Sequence, residues 1–341
     1  MSQNHEILAE EDQPRPRRKG RRGKVLTVFL VLLSLLLILL IGIGVFLLKL
    51  GSEFNKSTPT IENALPKSYE GRPDEDGAYN IMLLGSDSRQ GEADQSNVSG
   101  QRADTQMLVH IPADGGAAYV ISIMRDTWVQ IPGHGQAKIN AALDYGGIDL
   151  QVRTVEQLLN TRIDHVAEID FQGFRDLTNA VGGVTVDVPV SFTAGGYTFT
   201  QGPQKMMGDE ALAFVRERYS FSNGDYQRVR NQRAYLRALL DKLASPQTLA
   251  NPVKLHEVVS QFSPYVSTDQ DLSAGEIVKI GLQLGPSGLN NISWMTLPNQ
   301  GTGWSQDGQS IVVLDEQAVQ NLSKAMEQGT MAEYVKTVPT D

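Results

Sequence analysis

Four short segments hold the side chains best suited to chemistry, and each joins a carboxylate to a guanidinium. Gly85-Ser86-Asp87-Ser88-Arg89 follows the apolar run Ile81–Leu84 directly, and Arg102-Ala103-Asp104-Thr105 precedes a run starting near Met107. A carboxylate at a strand end sits in the crevice where open α/β sheets bind ligands. If those two runs are neighbouring strands, Asp87 and Asp104 converge at one edge. Two carboxylates so placed are uncomfortable without a cation, and hard oxygen ligands suit Mg²⁺ or Mn²⁺. Mg²⁺ retains waters and accepts substrate phosphates, so two protein ligands suffice. An ordinary Asp/Ser turn with a solvated Arg89 accounts for the first segment equally well.

The third segment, Ser122-Ile123-Met124-Arg125-Asp126-Thr127, closes another apolar run and leaves Arg125 at its end, with Asp126 and Thr127 able to orient it. The fourth is the densest: Arg216-Glu217-Arg218 ends one helical pattern, and Asp225 to Arg233 begins the next. There Arg228 and Gln232 are four apart and share a face, with Asp225 one turn earlier. Arg230 and Arg233 are expected to face solvent. Guanidinium forks grip phosphate bidentately and stay charged at any relevant pH. Gathered in one pocket they repel one another unless an anion fills it; dispersed, they are surface salt bridges on a solvated basic helix. Two carboxylates for a metal and several arginines are the equipment of phosphoryl transfer, which runs on positioning and charge stabilisation. There is no Gly-rich lysine loop of the Walker type. The five histidines show no metal spacing, and the absence of cysteine excludes disulfides and thiolate catalysis.

The elements that must position these residues alternate. Tyr79–Leu84, Met107–Ile111, Ala118–Met124, His165–Asp170, Val184–Val188 and Ile292–Leu297 read as buried strands. Helical spacing covers Leu150–Leu159, Phe171–Val181, Asp209–Glu217, Asp225–Leu243, Pro252–Phe262, Ser273–Leu284 and Asp315–Met326. The predicted fold class is α/β: a layered α-β-α domain on a central sheet, over residues 78–331, with 332–341 as a C-terminal tail.

Ahead of this domain, Val25–Leu48 carries no charged side chain. Its residues reach about 36 Å as a helix, enough for a ~30 Å hydrocarbon core. Seven basic residues and no acid lie between Arg15 and Lys24. The positive-inside bias therefore keeps residues 1–24 cytoplasmic and exports everything after the span. The apolar core is longer than that of a cleaved signal peptide. Residues 49–77, rich in Ser, Thr, Pro, Asn and Glu, read as an extracytoplasmic stalk. The net charge is −9, and residues 1–24 hold seven basic and four acidic side chains, so the remainder carries −12. That excludes broad nucleic-acid binding, which needs a basic surface.

In the order and type of these motifs the chain resembles the LytR-CpsA-Psr family of cell-wall assembly enzymes. The likeness rests on Leu83 to Arg89, Arg102 to Thr105, Ile121 to Thr127, Ile131-Pro132-Gly133 with Lys138 to Ala142, Ala180 to Val184, and Arg216 to Arg233. The resemblance implies a mixed central sheet and a Mg²⁺-assisted phosphotransferase, with Mn²⁺ as an alternative metal. Such an enzyme moves a glycopolymer from a polyprenyl-pyrophosphate carrier to peptidoglycan, leaving polyprenyl phosphate. It also implies that Asp87 and Asp104 hold the metal. Arg125, Arg216, Arg218 and Arg228 would grip the pyrophosphate, with Arg89 beside them and Gln232 and Asp225 in support. A hydrophobic cavity for the lipid tail is implied as well. Met124 stands where many members carry proline, and Asn231 where many carry arginine. A pyrophosphatase without a sugar acceptor, and a membrane-bound regulator or lipid-binding module, are the alternative functions.

Overall fold

The computed structural model describes residues 44–86, 103–222, 224–245, 248 and 251–338. The chain divides into two units, Met1–Lys49 and Leu50–Asp341. Of the first, only residues 44–49 are described, and they are helical. Among the described residues no helix is long and apolar enough to cross a membrane. Residues 25–43 of the expected span lie outside them.

The second unit opens with helical residues 50–57 (α1). Strands β1 (Tyr79–Ser86), β2 (Ala103–Ile111) and β3 (Ala118–Ser122) follow. A small hairpin, β4 (Trp128–Ile131) and β5 (Gly135–Lys138), leads to α2 (Ala141–Leu159), β6 (His165–Asp170), α3 (Phe171–Ala180) and β7 (Val184–Val188). Next come β8 (Phe192–Ala194), β9 (Tyr197–Phe199) and β10 (Gly202–Met206). Helices α4 (Gly208–Arg216), α5 (Gly224–Leu243) and α6 (Pro252–Phe262) precede β11 (Ser267–Thr268) and α7 (Ala274–Gly288). The chain closes with β12 (Ile292–Thr296), the hairpin β13 (Asn299–Trp304) and β14 (Ser310–Leu314), α8 (Glu316–Glu327) and α9 (Met331–Tyr334).

Six strands form the central sheet in the order β11-β6-β1-β2-β3-β12. It is mixed: β1 runs parallel to β6 and β3 parallel to β12, while β2 is antiparallel to both β1 and β3. Side-chain alternation sends the two sets of strand residues to opposite faces. Met82, Leu84, Leu108, Ile121 and Met295 meet Val155 and Leu159 of α2 and Val319 and Leu322 of α8. On the other face, Leu83, Met107, Val120 and Trp294 meet Leu236 and Leu240 of α5, and Ile81 and Val109 meet Ile280 and Leu284 of α7. This is the three-layer arrangement expected from the alternating pattern.

The expected strands and helices are all present, with shifted ends. Helix α2 starts nine residues before the periodic stretch, because Gly146 and Gly147 interrupt it with non-helical backbone, Gly147 at φ 68°. Strand β7 lies outside the central sheet and pairs with β10 instead. Eight strands were not expected: β4, β5, β8, β9 and β11 are two to four residues long, too short to show a period, and β10, β13 and β14 are five or six residues long and poor in apolar alternation or paired only in local hairpins.

The segment read as a stalk is largely part of the second unit. Ile61 N donates to Thr268 O at 2.8 Å and Ala64 is buried in the main core. Arg72 pairs with Glu156 of α2 at 3.0 Å, and both side chains are nearly inaccessible. Its aperiodic sequence hid this packing because the partners lie some eighty residues away.

Candidate active site

One end of the sheet collects the chemistry. Parallel β1 and β6 finish together, Ser86 beside Asp170, and antiparallel β2 begins there, Ala103 opposite Ser86. Strands β3 and β12 finish there too, with Thr296 beside Ser122. Asp104 at the start of β2 and Arg125 just past β3 are thereby neighbours: Arg125 Nη1 donates to Asp104 Oδ1 at 2.6 Å. Gly85 permits the tight pairing beneath them, since a Cβ there would lie 2.9 Å from Thr105 Cβ. The expected adjacency of β1 and β2 is present. Asp87, Arg89 and Arg102 fall outside the described residues.

A network of alternating charge extends from Arg125. Its Nε lies 3.6 Å from Asp126 Oδ2, and Lys138 of β5 reaches Asp126 Oδ1 at 3.2 Å. The Asp126 carboxyl shares a hydrogen bond with Asp225 at the start of α5. Asp225 Oδ1 lies 3.2 Å from Arg228 Nη2, one helical turn on, and 3.9 Å from Arg218 Nη1. Arg125, Arg218 and Arg228, separated by up to a hundred positions in sequence, are thus tied through interleaved carboxylates. This resolves the alternatives of gathered or dispersed arginines in favour of gathering.

Burial sets the protonation pattern. Asp225 is pushed up, first by burial and then by its bond to Asp126, although Arg228 pulls the other way. Asp126 is held down despite burial, by that same bond and by the Arg125 and Lys138 charges. Of the two carboxyls, Asp126 is therefore the readier to ionise. Burial works against the charge on Arg125, but Asp104, Asp126 and Asp225 more than offset it. Arg228 is lowered by burial, with Asp225 opposing and Arg125 adding repulsion. A guanidinium still remains charged. Among the described residues, Arg228 Nε and Arg125 Nε are buried without hydrogen-bond partners. Such donors carry a desolvation cost that an anion would relieve.

The remaining sequence candidates occupy nearby but different places. Arg216 ends α4, exposed, with its guanidinium 4.2 Å from the centre of the Phe171 ring, which follows β6 at the same sheet end. Gln232 is buried, and its amide donates to Val215 O at 3.4 Å, tying α5 to α4. Arg230 is exposed, as expected. Arg233 is not solvated: it is buried, and its Nη1 donates to Thr296 Oγ1 at 3.2 Å, at the end of β12. The signal was available, because Val229, Arg233, Leu236 and Leu240 are three or four apart and form the ridge that α5 lays on the sheet. Asn231 donates to Phe214 O and accepts from Gln227, so it is a packing residue here. Lys138 owes its tie to Asp126 to the β4–β5 hairpin, whose strands are too short for a period to mark them.

The residues present partly match a metal. Asp104 supplies hard carboxylate oxygen but commits Oδ1 to Arg125, which leaves its other oxygen for a cation. Among the described residues no group of three or more His, Asp or Glu is arranged to hold an ion. A Mg²⁺ completed by waters and phosphates does not require one.

A cavity of about 660 Å³ opens at the opposite end of the sheet, lined by Arg72, Tyr79, Arg162, Asp164, Asp269 and Glu276 among others. It contains none of Arg125, Arg216, Arg218 and Arg228 and is not the anion site. Within it Asp164 is raised to about 6, chiefly by burial, against the pull of the Asn80 N–H, His165 and Arg162. A folded pKa above the unfolded one means that Asp164 costs nothing at low pH and subtracts stability as pH rises through about 4 to 6. Asp164→Asn is therefore expected to stabilise the protein at pH 7.5 by up to about 3 kcal/mol, and by much less at pH 4.5. Urea unfolding at the two pH values checks this; equal gains would contradict it.

Comparison with known proteins follows this geometry. The family model described as the LytR_cpsA_psr family matches residues 45–328. The chain is 31% identical over 306 residues to the polyisoprenyl-teichoic acid–peptidoglycan teichoic acid transferase TagU of Enterococcus faecalis, covering 89% of this chain and 94% of that protein. Among solved structures, B. subtilis TagV aligns with a TM-score of 0.63 at 26% identity, over 76% of this chain and 99% of that one. TagT bound to LI-WTA aligns with a TM-score of 0.57 at 25% identity, over 79% and 96%.

Proposed function

The chain belongs to the LytR-CpsA-Psr family, and on that premise we propose that it transfers a glycopolymer from a polyprenyl-pyrophosphate carrier to peptidoglycan. The observation that carries this reading is the tethering of Arg125, Arg218 and Arg228 at one sheet end, where two buried guanidinium nitrogens have no hydrogen-bond partner among the described residues. That arrangement suits a diphosphate, whose charge grows on the bridging oxygen as the bond breaks. Relatives named as teichoic acid transferases supply the substrate class.

In the proposed reaction a hydroxyl of the peptidoglycan acceptor forms a P–O bond to the phosphorus next to the sugar. The P–O–P bond breaks, its electron pair leaves with polyprenyl phosphate, and the hydroxyl proton passes to solvent. Arg125 and Arg228 bind the pyrophosphate, with Arg218 and Arg216 closing the rim. Asp225 is a positioning residue: it fixes Arg228 and Arg218 beside the phosphates. Asp126 does the same for Arg125 and Lys138. Gln232 acts further back, holding α4 and hence Arg216 and Arg218 in place. Asp104, with Asp87, would hold Mg²⁺ or Mn²⁺, which when bound would neutralise phosphate charge. Arg89, three residues past the end of β1, would add a further phosphate contact. Residues 25–48 would anchor the chain in the cell membrane, with residues 1–24 in the cytoplasm and the catalytic unit outside.

The test supplies the full chain with a polyprenyl-pyrophosphate-linked glycan and purified peptidoglycan. Covalent glycan–peptidoglycan conjugates are expected, with polyprenyl phosphate released in equal amount. Release without conjugates would indicate hydrolysis instead.

A further inference from the structure

Helix α7 presents apolar side chains in two directions. Inward, Ile280 and Leu284 pack against Tyr79, Ile81, Val109 and Ile292. Outward, Ile277, Val278 and Leu282 are 41%, 59% and 76% exposed, and Leu289, just past the helix, is 40% exposed. Val278 and Leu282 are one turn apart, with Ile277 alongside, so they form one patch. A helix with apolar side chains on two sides belongs between two apolar layers, and among the described residues no second layer covers the outer side.

The chain itself indicates what that layer is. Ala274 N, at the first turn of α7, donates to Asn55 Oδ1 of α1 at 2.8 Å. A Cβ on Gly51 would lie 3.3 Å from Ala274 Cβ. The apolar run read as a membrane span ends at Leu48, three residues before Gly51. Three residues reach at most about 11 Å. A chain leaving the bilayer at Leu48 therefore delivers the start of α7 to the lipid headgroups, whatever angle the span adopts.

We infer that α7 lies in the outer lipid interface, with Ile277, Val278, Leu282 and Leu289 seated at the acyl boundary. This rests on reading residues 25–48 as a membrane span. Interfacial helices bury such a face about 5–10 Å deep. Lys279, on the same helix, pairs with Glu276 and is exposed, so its ammonium can reach phosphate headgroups while its stem stays in apolar surroundings. Docking also fixes the height of the catalytic end. Gln283 donates to Gly77 O and Pro112 O, and Tyr79 Oη to Glu276, so α7 crosses the sheet at the end where β1 begins. The eight residues of β1 then hold the arginine cluster about 26 Å further out.

The chain has no cysteine, so single-cysteine variants label cleanly. Leu282→Cys and Val278→Cys on α7, and Gln320→Cys on the exposed side of α8, are labelled with an environment-sensitive fluorophore. Each full-length variant is reconstituted into phosphatidylcholine–phosphatidylglycerol vesicles carrying a spin-labelled lipid quencher. The probes at 278 and 282 are expected to shift to the blue and to be quenched several-fold more than the probe at 320. A probe at 282 quenched no more than that at 320 would overturn the inference. So would a blue shift that grows with protein density but not with lipid quencher, which would indicate a second copy of the chain. Carbonate washing separates the premise: protein stripped from vesicles ends the membrane-span reading and this inference together. Protein that stays, with an unquenched Leu282 probe, ends this inference alone. The transfer assay with soluble fragments of carrier and acceptor tests the enzymatic reading independently.

Discussion

Arg228→Ala is expected to lower kcat by about 10²–10³-fold, the range seen when one preorganised donor to a developing charge is removed. Arg230→Ala, two positions along the same helix, is expected to leave activity within about threefold. The two side chains point about 200° apart on α5. Arg228 is buried and paired with Asp225, whereas Arg230 is exposed. Removing a buried charge also strands its partner, at a cost of about 3–5 kcal/mol of stability. The comparison therefore includes Arg228→Lys, which keeps the charge but loses the fork. If Arg228→Lys unfolds like wild type in urea yet loses most of its turnover, bidentate phosphate binding is responsible. Equal losses in Arg228→Ala and Arg230→Ala would place the anion on another face of α5.

Chelation with EDTA is expected to lower conjugate formation by on the order of 10²-fold, since a bound divalent ion contributes several kcal/mol of charge stabilisation to phosphoryl transfer. Added Mg²⁺ or Mn²⁺ should restore it. Asp104→Asn is the companion measurement, because Asp104 also holds Arg125 at 2.6 Å. This variant is expected to need more Mg²⁺ and to recover only in part at saturating metal, since the Asp104–Arg125 pair remains weakened. Full turnover in chelator would remove Asp104 and Asp87 from the metal role. Full recovery of Asp104→Asn at high Mg²⁺ would show that its bond to Arg125 is dispensable.

Local pattern by itself determined much of this protein. Strand β1 alternates buried and half-buried positions, so its apolar residues and its direction into Ser86 were visible in the sequence. Arg228, Asp225 and Gln232 could be placed on α5 by helical spacing alone. The motif order from Leu83 to Arg233 carried the family resemblance, and the apolar run at 25–48 carried the membrane expectation. These features depend on neighbours within a few residues, and periodicity records such neighbours faithfully.

Contacts between distant segments were decided only by the tertiary structure. Which carboxylate meets which guanidinium follows from strand order: β2 beside both β1 and β3 brings Asp104 to Arg125. Helix α5 laid across that end adds Asp225 and Arg228. The burial of Arg233 was open to helical spacing, but its partner Thr296, at the end of β12 more than sixty residues later, was not. The stalk was misjudged because Arg72 is held by Glu156, eighty-four residues on. Burial and pairing of a charge depend on what folds over it, and linear spacing does not encode that. The apolar outer side of α7 shows the same division: its spacing was plain in the sequence, but only the fold revealed that no other part of the described chain covers it.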